Sequence, residues 1–140
     1  MATTTTTTSN DLQYTRRTQS TIAATVSLTE SDAGIDYNVA TDALVITLPL
    51  IEADNLGMEF VFRNTGANGA NIITLSPASA DSINGRVSTA AADSTAGGVV
   101  NKDFVNTKVT AKKGDFVRIK AVALTAWYIQ EGQGVWASEA

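Results

Sequence analysis

Met58-Glu-Phe-Val-Phe-Arg63, followed by Asn64-Thr-Gly-Ala-Asn-Gly69 and Asn71-Ile-Ile-Thr-Leu-Ser76, decides the fold class. Met58, Phe60 and Phe62 alternate with Glu59, Val61 and Arg63, the period of two that marks a half-buried strand. The segment from Asn64 to Gly69 holds two Gly and two Asn, residues that tolerate positive φ, and predicts a hairpin-type loop. Asn71–Ser76 is then the predicted partner strand, stopped by Pro77, which has no N–H to give a ladder.

The same texture extends both ways. Ile22, Ala24, Val26 and Leu28 alternate with Ala23, Thr25 and Ser27, and Thr29-Glu-Ser-Asp-Ala-Gly34 reads as a turn. Ile35–Val39 is a further stretch able to pair locally. Ala43-Leu-Val-Ile-Thr-Leu-Pro49 puts Leu44, Ile46 and Leu48 on one face. In Leu50–Gly57 a short helical turn competes, but Gly57 ends it and no apolar period is sustained. Ala78–Asn106 is rich in Ala, Ser, Gly and Asp; it reads as a long loop or weakly paired edge, with a turn at Asp81-Ser-Ile-Asn-Gly85 and a break at Gly97-Gly98. Strands are predicted again over Asn106–Ala111, Phe116–Leu124 and Ala126–Gln130, with turns at Lys112–Asp115 and Glu131–Gly134 before Val135-Trp136. About seven or eight short strands between turn signals predict an all-β chain, an antiparallel β-sandwich or a jelly-roll-like barrel.

Residues 1–20 form a predicted extended N-terminal arm ahead of a β body over 21–140. Met1-Ala-Thr-Thr-Thr-Thr-Thr-Thr-Ser9 and its continuation hold only Leu12 and Tyr14 as sizeable apolar groups. Such a segment cannot bury enough surface to offset its ordering entropy. Its β-branched threonines favour extended backbone able to pair with a foreign strand edge. Two readings stand, a flexible leader without function or a docking arm. In the second, Thr3, Thr4, Thr5, Thr6, Thr7, Thr8, Leu12, Tyr14, Arg16 and Arg17 make the contacts.

Composition narrows the chemistry. The 140 residues contain no Cys and no His, which removes thiolate nucleophiles, disulfides, thiolate metal centres and the most common general base. The net charge is −4 and the basic residues are scattered apart from Arg16-Arg17 and Lys112-Lys113, so a nucleic-acid partner is not expected. No stretch approaches the length of an apolar membrane span. The N-terminus has neither the basic n-region nor the apolar h-region of a secretory signal, and predicts a protein made and used without export.

Carboxylates are the remaining catalytic candidates. Glu52 with Asp54, or Asp81 with Glu131, could serve as acid and nucleophile at a glycosidic bond, but nothing in their spacing selects them. No enzymatic activity is expected. Asp81–Arg86 lacks the alternating oxygen ligands and the distal Glu of a calcium loop, and Gly66–Gly69 has no helix or Lys-Ser/Thr behind it to make a phosphate loop. No metal or cofactor is expected. Trp127, Tyr128 and Trp136 cluster near the C-terminus. Strand alternation turns Trp127 inward, and leaves Tyr128 or Trp136 as an interface aromatic, with core packing as the other reading.

From Leu44 onward the chain resembles the small β-rich structural modules of tailed bacteriophages, found in capsid decoration (cement) proteins and in head- and tail-fibre proteins. The residues that carry it are Ile46-Thr-Leu-Pro49, Gly57-Met-Glu-Phe-Val-Phe-Arg-Asn-Thr-Gly66, Ile72-Ile-Thr-Leu-Ser-Pro77, Asp81-Ser-Ile-Asn-Gly85, Gly114-Asp-Phe-Val-Arg-Ile119 and Trp127-Tyr-Ile129. The resemblance implies a virion protein on the capsid exterior. It would bind the major capsid protein, associate with itself as a homotrimer, and reinforce contacts between capsid subunits. The alternative is a fibre or receptor-binding module that holds a host surface glycan.

Overall fold

The computed structural model describes residues 17–88 and 94–139. Among the described residues there are twelve strands: β1 (Gln19–Ile22), β2 (Val26–Ser27), β3 (Asp36–Val39), β4 (Leu44–Thr47), β5 (Glu59–Asn64), β6 (Ile73–Ser76), β7 (Ser82–Val87), β8 (Ser94–Val100), β9 (Phe104–Asn106), β10 (Phe116–Ala123), β11 (Ala126–Gln133) and β12 (Trp136–Ser138). They form a seven-stranded sheet in the order β1-β3-β5-β10-β11-β7-β8 and a five-stranded sheet in the order β12-β9-β6-β4-β2. The two share one apolar core, so the chain is an all-β sandwich.

Strand polarity departs from the antiparallel expectation, because both sheets are mixed. From β1 to β6 the chain alternates between sheets, and each strand lies parallel to the one two positions earlier: β1 on β3, β3 on β5, β2 on β4, and β4 on β6. Parallel neighbours need a long crossover. Here the crossover is itself a strand of the opposite sheet. The loop after β5 is therefore not a hairpin. Its Gly and Asn residues carry the chain from one sheet to the other, and β6 pairs with β4 and β9. The second half is mostly antiparallel, with β10 bridging β5 and β11, β8 on β7, and β12 on β9. One parallel pair, β11 with β7, joins it to the remaining hairpin.

The segment 78–106 is more structured than its composition predicts. It contains β7, β8 and β9, and turn-forming residues serve the strand β7: Asn84 Nδ2 donates to Trp127 O (3.2 Å) and to Ser82 Oγ (3.0 Å). Conversely, strand structure ends at Asn106, and Thr107–Ala111 turns, with the Thr110 N–H donating to Thr107 O (3.1 Å). β11 runs through Gln133 instead of turning at Glu131. Gly132 permits this, since a Cβ there would lie 2.9 Å from Val87 Cγ2 and 3.0 Å from Phe116 O. At the start, the predicted strand over 22–28 is two short strands, and β1 begins at Gln19, within the segment assigned to the arm.

The core follows from the alternation first seen in β5. Tyr37, Phe62, Phe60 and Trp127 form a row beneath the large sheet, with ring centroids 5.8–5.9 Å apart from each to the next. Leu44, Ile46, Ile73 and Leu75 face them from the small sheet, all buried. Trp127 is inward, as expected. Trp136 is a correction: it is 1% exposed and stacks on Phe104 at 5.5 Å, so it is core and not an interface aromatic. Pairing of β12 with β9 carries it under the sheet.

A buried polar clasp closes one end of the sandwich. Asn64 Nδ2 donates to Asn106 Oδ1 (2.9 Å), and Asn106 Nδ2 donates to Asp115 Oδ2 (3.1 Å) and Val135 O (3.1 Å). Asn64 Oδ1 accepts from the Gly66 N–H (3.0 Å) and Asn71 Nδ2 (3.3 Å). Gly134, at φ +104°, leaves room for Asp115, whose carboxylate carbon would sit 2.2 Å from a Cβ there. Burying these groups is tolerable because each finds partners. Asn106→Ala leaves Asn64 Nδ2 without its acceptor and takes one of two donors from Asp115 Oδ2, which keeps the Lys112 N–H (2.9 Å); it is expected to cost at least about 2 kcal/mol in urea unfolding, and a loss under about 0.5 kcal/mol would show that the clasp is not structural.

Candidate functional site: an apolar rim beside the root of the arm

At the end of the large sheet away from the clasp, β5, β7 and β11 begin and β8 and β10 end, as their registers require. Backbone hydrogen bonds knit the connecting segments together. The Gly57 N–H donates to Ala121 O (2.8 Å), the Ser82 N–H to Thr125 O (2.9 Å) and the Asn101 N–H to Asp81 O (2.9 Å). The Asp81 carboxylate holds the fourth segment by accepting the Ile51 N–H at 3.0 Å.

These segments present Leu50, Leu56, Val99, Val100, Val122 and Leu124, each about half exposed. Their exposed areas sum to roughly 500 Å², spread along this end of the sheet from the start of β5 to β8, and apolar surface gathered on one side of a molecule often marks an interaction site. Tyr128, 40% exposed, lies next to them, in an open groove with Gly57 and Val122. The turn that carries Leu124 outward is strained. Thr125 has φ +62°, a region that β-branched residues rarely occupy, and its carbonyl is held by both the N–H and the hydroxyl of Ser82.

The root of the arm lies at the same end. β1 and β3 run parallel to β5, so all three start there. Arg17 Nε donates to Asp36 Oδ1 (2.5 Å) and a terminal guanidinium nitrogen donates to Gly34 O (3.3 Å), while the Gly34 N–H donates to Glu59 O (2.8 Å). Arg17 is thus fixed to the body. Thr3, Thr4, Thr5, Thr6, Thr7, Thr8, Leu12, Tyr14 and Arg16 lie outside the described residues.

The other nominated groups do not converge. Glu52 and Asp54 are exposed on the 50–57 loop. Asp81 is fully buried, whereas Glu131 is exposed on the outer face beside Arg118. Among the described residues no group of three or more acidic side chains is placed to hold a metal ion, and no helix is long and apolar enough to cross a membrane. The rim residues escaped the sequence reading, although one signal was present: Ala121-Val-Ala-Leu-Thr125 makes a hairpin turn with no Gly, Asn, Asp or Pro.

No protein-family model matches the chain, and no curated protein sequence matches it.

Asp81 gives the rim a pH signature. Burial raises its pKa above the ordinary value of 3.8, opposed by the Ile51 hydrogen bond, and its second oxygen, Oδ1, has no partner among the described residues. With the folded pKa raised, the carboxyl's stabilising contribution is complete below about 3.8 and is lost as pH rises through the folded value. Asp81→Asn, which keeps an acceptor for Ile51, is therefore expected to gain stability relative to wild type between pH 3.5 and 7. Urea midpoints across that range test it, and a constant difference would refute the assignment.

Proposed function

We propose that this protein is a structural virion protein of a tailed bacteriophage that binds the outer surface of the capsid and reinforces contacts between major capsid subunits. The observation that carries the reading is the apolar rim at the end from which the arm departs. An exposed patch and a chain able to add as an extended strand then address one partner surface together. The resemblance of Leu44 onward to phage decoration modules supports the choice of partner, and it supports self-association as a homotrimer.

On this reading the mechanism is burial of area and multivalency. Each rim is smaller than the roughly 800 Å² per partner of a standard interface, and the arm supplies a second attachment at high effective concentration. A body that binds only the assembled shell stabilises that shell by mass action. The alternative, a fibre module gripping a glycan with Tyr128 and Trp136, loses Trp136 to the core.

Two variants test the proposal on purified shells. Deletion of residues 2–16 keeps Arg17 and β1, and Leu124→Asp puts a charge on an exposed turn; both should fold. Each is expected to reduce affinity for shells at least about tenfold, a loss of about 1.4 kcal/mol. Wild-type occupancy by both would overturn the proposal.

A further inference from the structure

The outer face of the large sheet carries three arginines in one groove of about 320 Å³, lined by Arg17, Asp36, Val61, Arg63, Phe116, Arg118 and Glu131. That is the lower end of the size range of small-ligand sites. Register explains the grouping. Asp36, Val61, Arg118 and Glu131 are successive cross-strand partners, and Arg63 with Phe116 forms the next row.

The guanidinium groups are unequally matched, and Arg17 is already paired with Asp36. Arg63 lies over the Phe116 ring at 4.9 Å and has no ion pair among the described residues. Arg118 makes ion pairs with Glu59 at 3.5 Å and Glu131 at 3.4 Å, yet its Nε makes no hydrogen bond among the described residues. Arg63 and Arg118 are diagonal neighbours on one face, within reach of each other's long side chains, so both guanidinium groups can address one anion. Planar guanidinium forks of this kind bind carboxylates in bidentate fashion.

We infer that this groove is a binding site for an acidic sugar, a single pyranose ring bearing one carboxylate. The carboxylate is held by Arg63 and Arg118. Asp36 and Glu131, which would repel an acid-rich peptide, instead accept hydrogen bonds from ring hydroxyls. Val61 and Phe116 supply the apolar surface on which sugar C–H groups pack. The site is separate from the rim and does not depend on the capsid reading.

The test is a titration of the full chain followed through the side-chain Nε–H NMR signals of arginine, with glucuronate as probe and glucose and acetate as controls. Glucuronate should give saturable shifts at Arg63 and Arg118 at millimolar concentrations, glucose none, and acetate binding at least about tenfold weaker. Arg63→Gln, on the solvent face of β5, should weaken glucuronate at least about tenfold while the protein stays folded, with only the small fall in unfolding midpoint that loss of its contact with the Phe116 ring brings. Equal binding of acetate and glucuronate, indifference to Arg63→Gln, or the absence of saturable shifts would each overturn the inference.

Discussion

β5 is paired on both sides, parallel to β3 and antiparallel to β10, and the rest of the molecule is arranged around that seam. Before it, the chain crosses between sheets at every connection and builds parallel pairs. After it, most returns are antiparallel. Its inward side chains, Phe60 and Phe62, are fully buried and link Tyr37 on one side to Trp127 on the other. Its last residue, Asn64, enters the polar clasp and fixes where the chain leaves for the other sheet. Moving β5 by one residue would exchange Phe60 and Phe62 for Glu59, Val61 and Arg63, turning charged groups into the core. Apolar packing and the clasp therefore specify the same register.

The two ends of the sandwich are built to different rules. At the clasp, buried amides and a carboxylate find partners and neighbouring glycines make space for them. At the rim, a buried carboxylate keeps one oxygen unpaired, a β-branched residue sits at positive φ, and six apolar side chains face outward. Strain and exposed apolar surface oppose the stability of an isolated body. Their concentration at the end of the sheet where β1, β3 and β5 begin sets the rim apart from the remainder of the surface.

Much of the fold class was legible in the sequence. Alternation in 58–63 and 44–48 names inward residues that are buried, and Trp127 was placed correctly by the same rule. Sheet membership was not legible. Asn64–Gly69 has the composition of a hairpin loop, and such residues serve equally well where the chain crosses between layers, because positive φ and small size are useful in both. β7 was hidden for a related reason: Ser82 and Asn84 are turn formers by propensity, but bonds to Thr125 O and Trp127 O hold them in the sheet. Trp136 shows the limit for single side chains, since one isolated aromatic has no neighbouring pattern to say which way it faces.

The sequence by itself determined that the chain is all-β, that its core is aliphatic and aromatic, and that thiol and imidazole chemistry are missing. These follow from local periodicity and residue inventory, which need no knowledge of distant contacts. Tertiary structure alone decided the mixed polarity of the sheets, the burial of Trp136, the meeting of Arg63 with Arg118, and the gathering of Leu50, Leu56, Val99, Val100, Val122 and Leu124 at one end. Each depends on which strand lies beside which. That pairing is set by the packing of the whole core and the backbone hydrogen bonds it encloses, and no local window of sequence contains it.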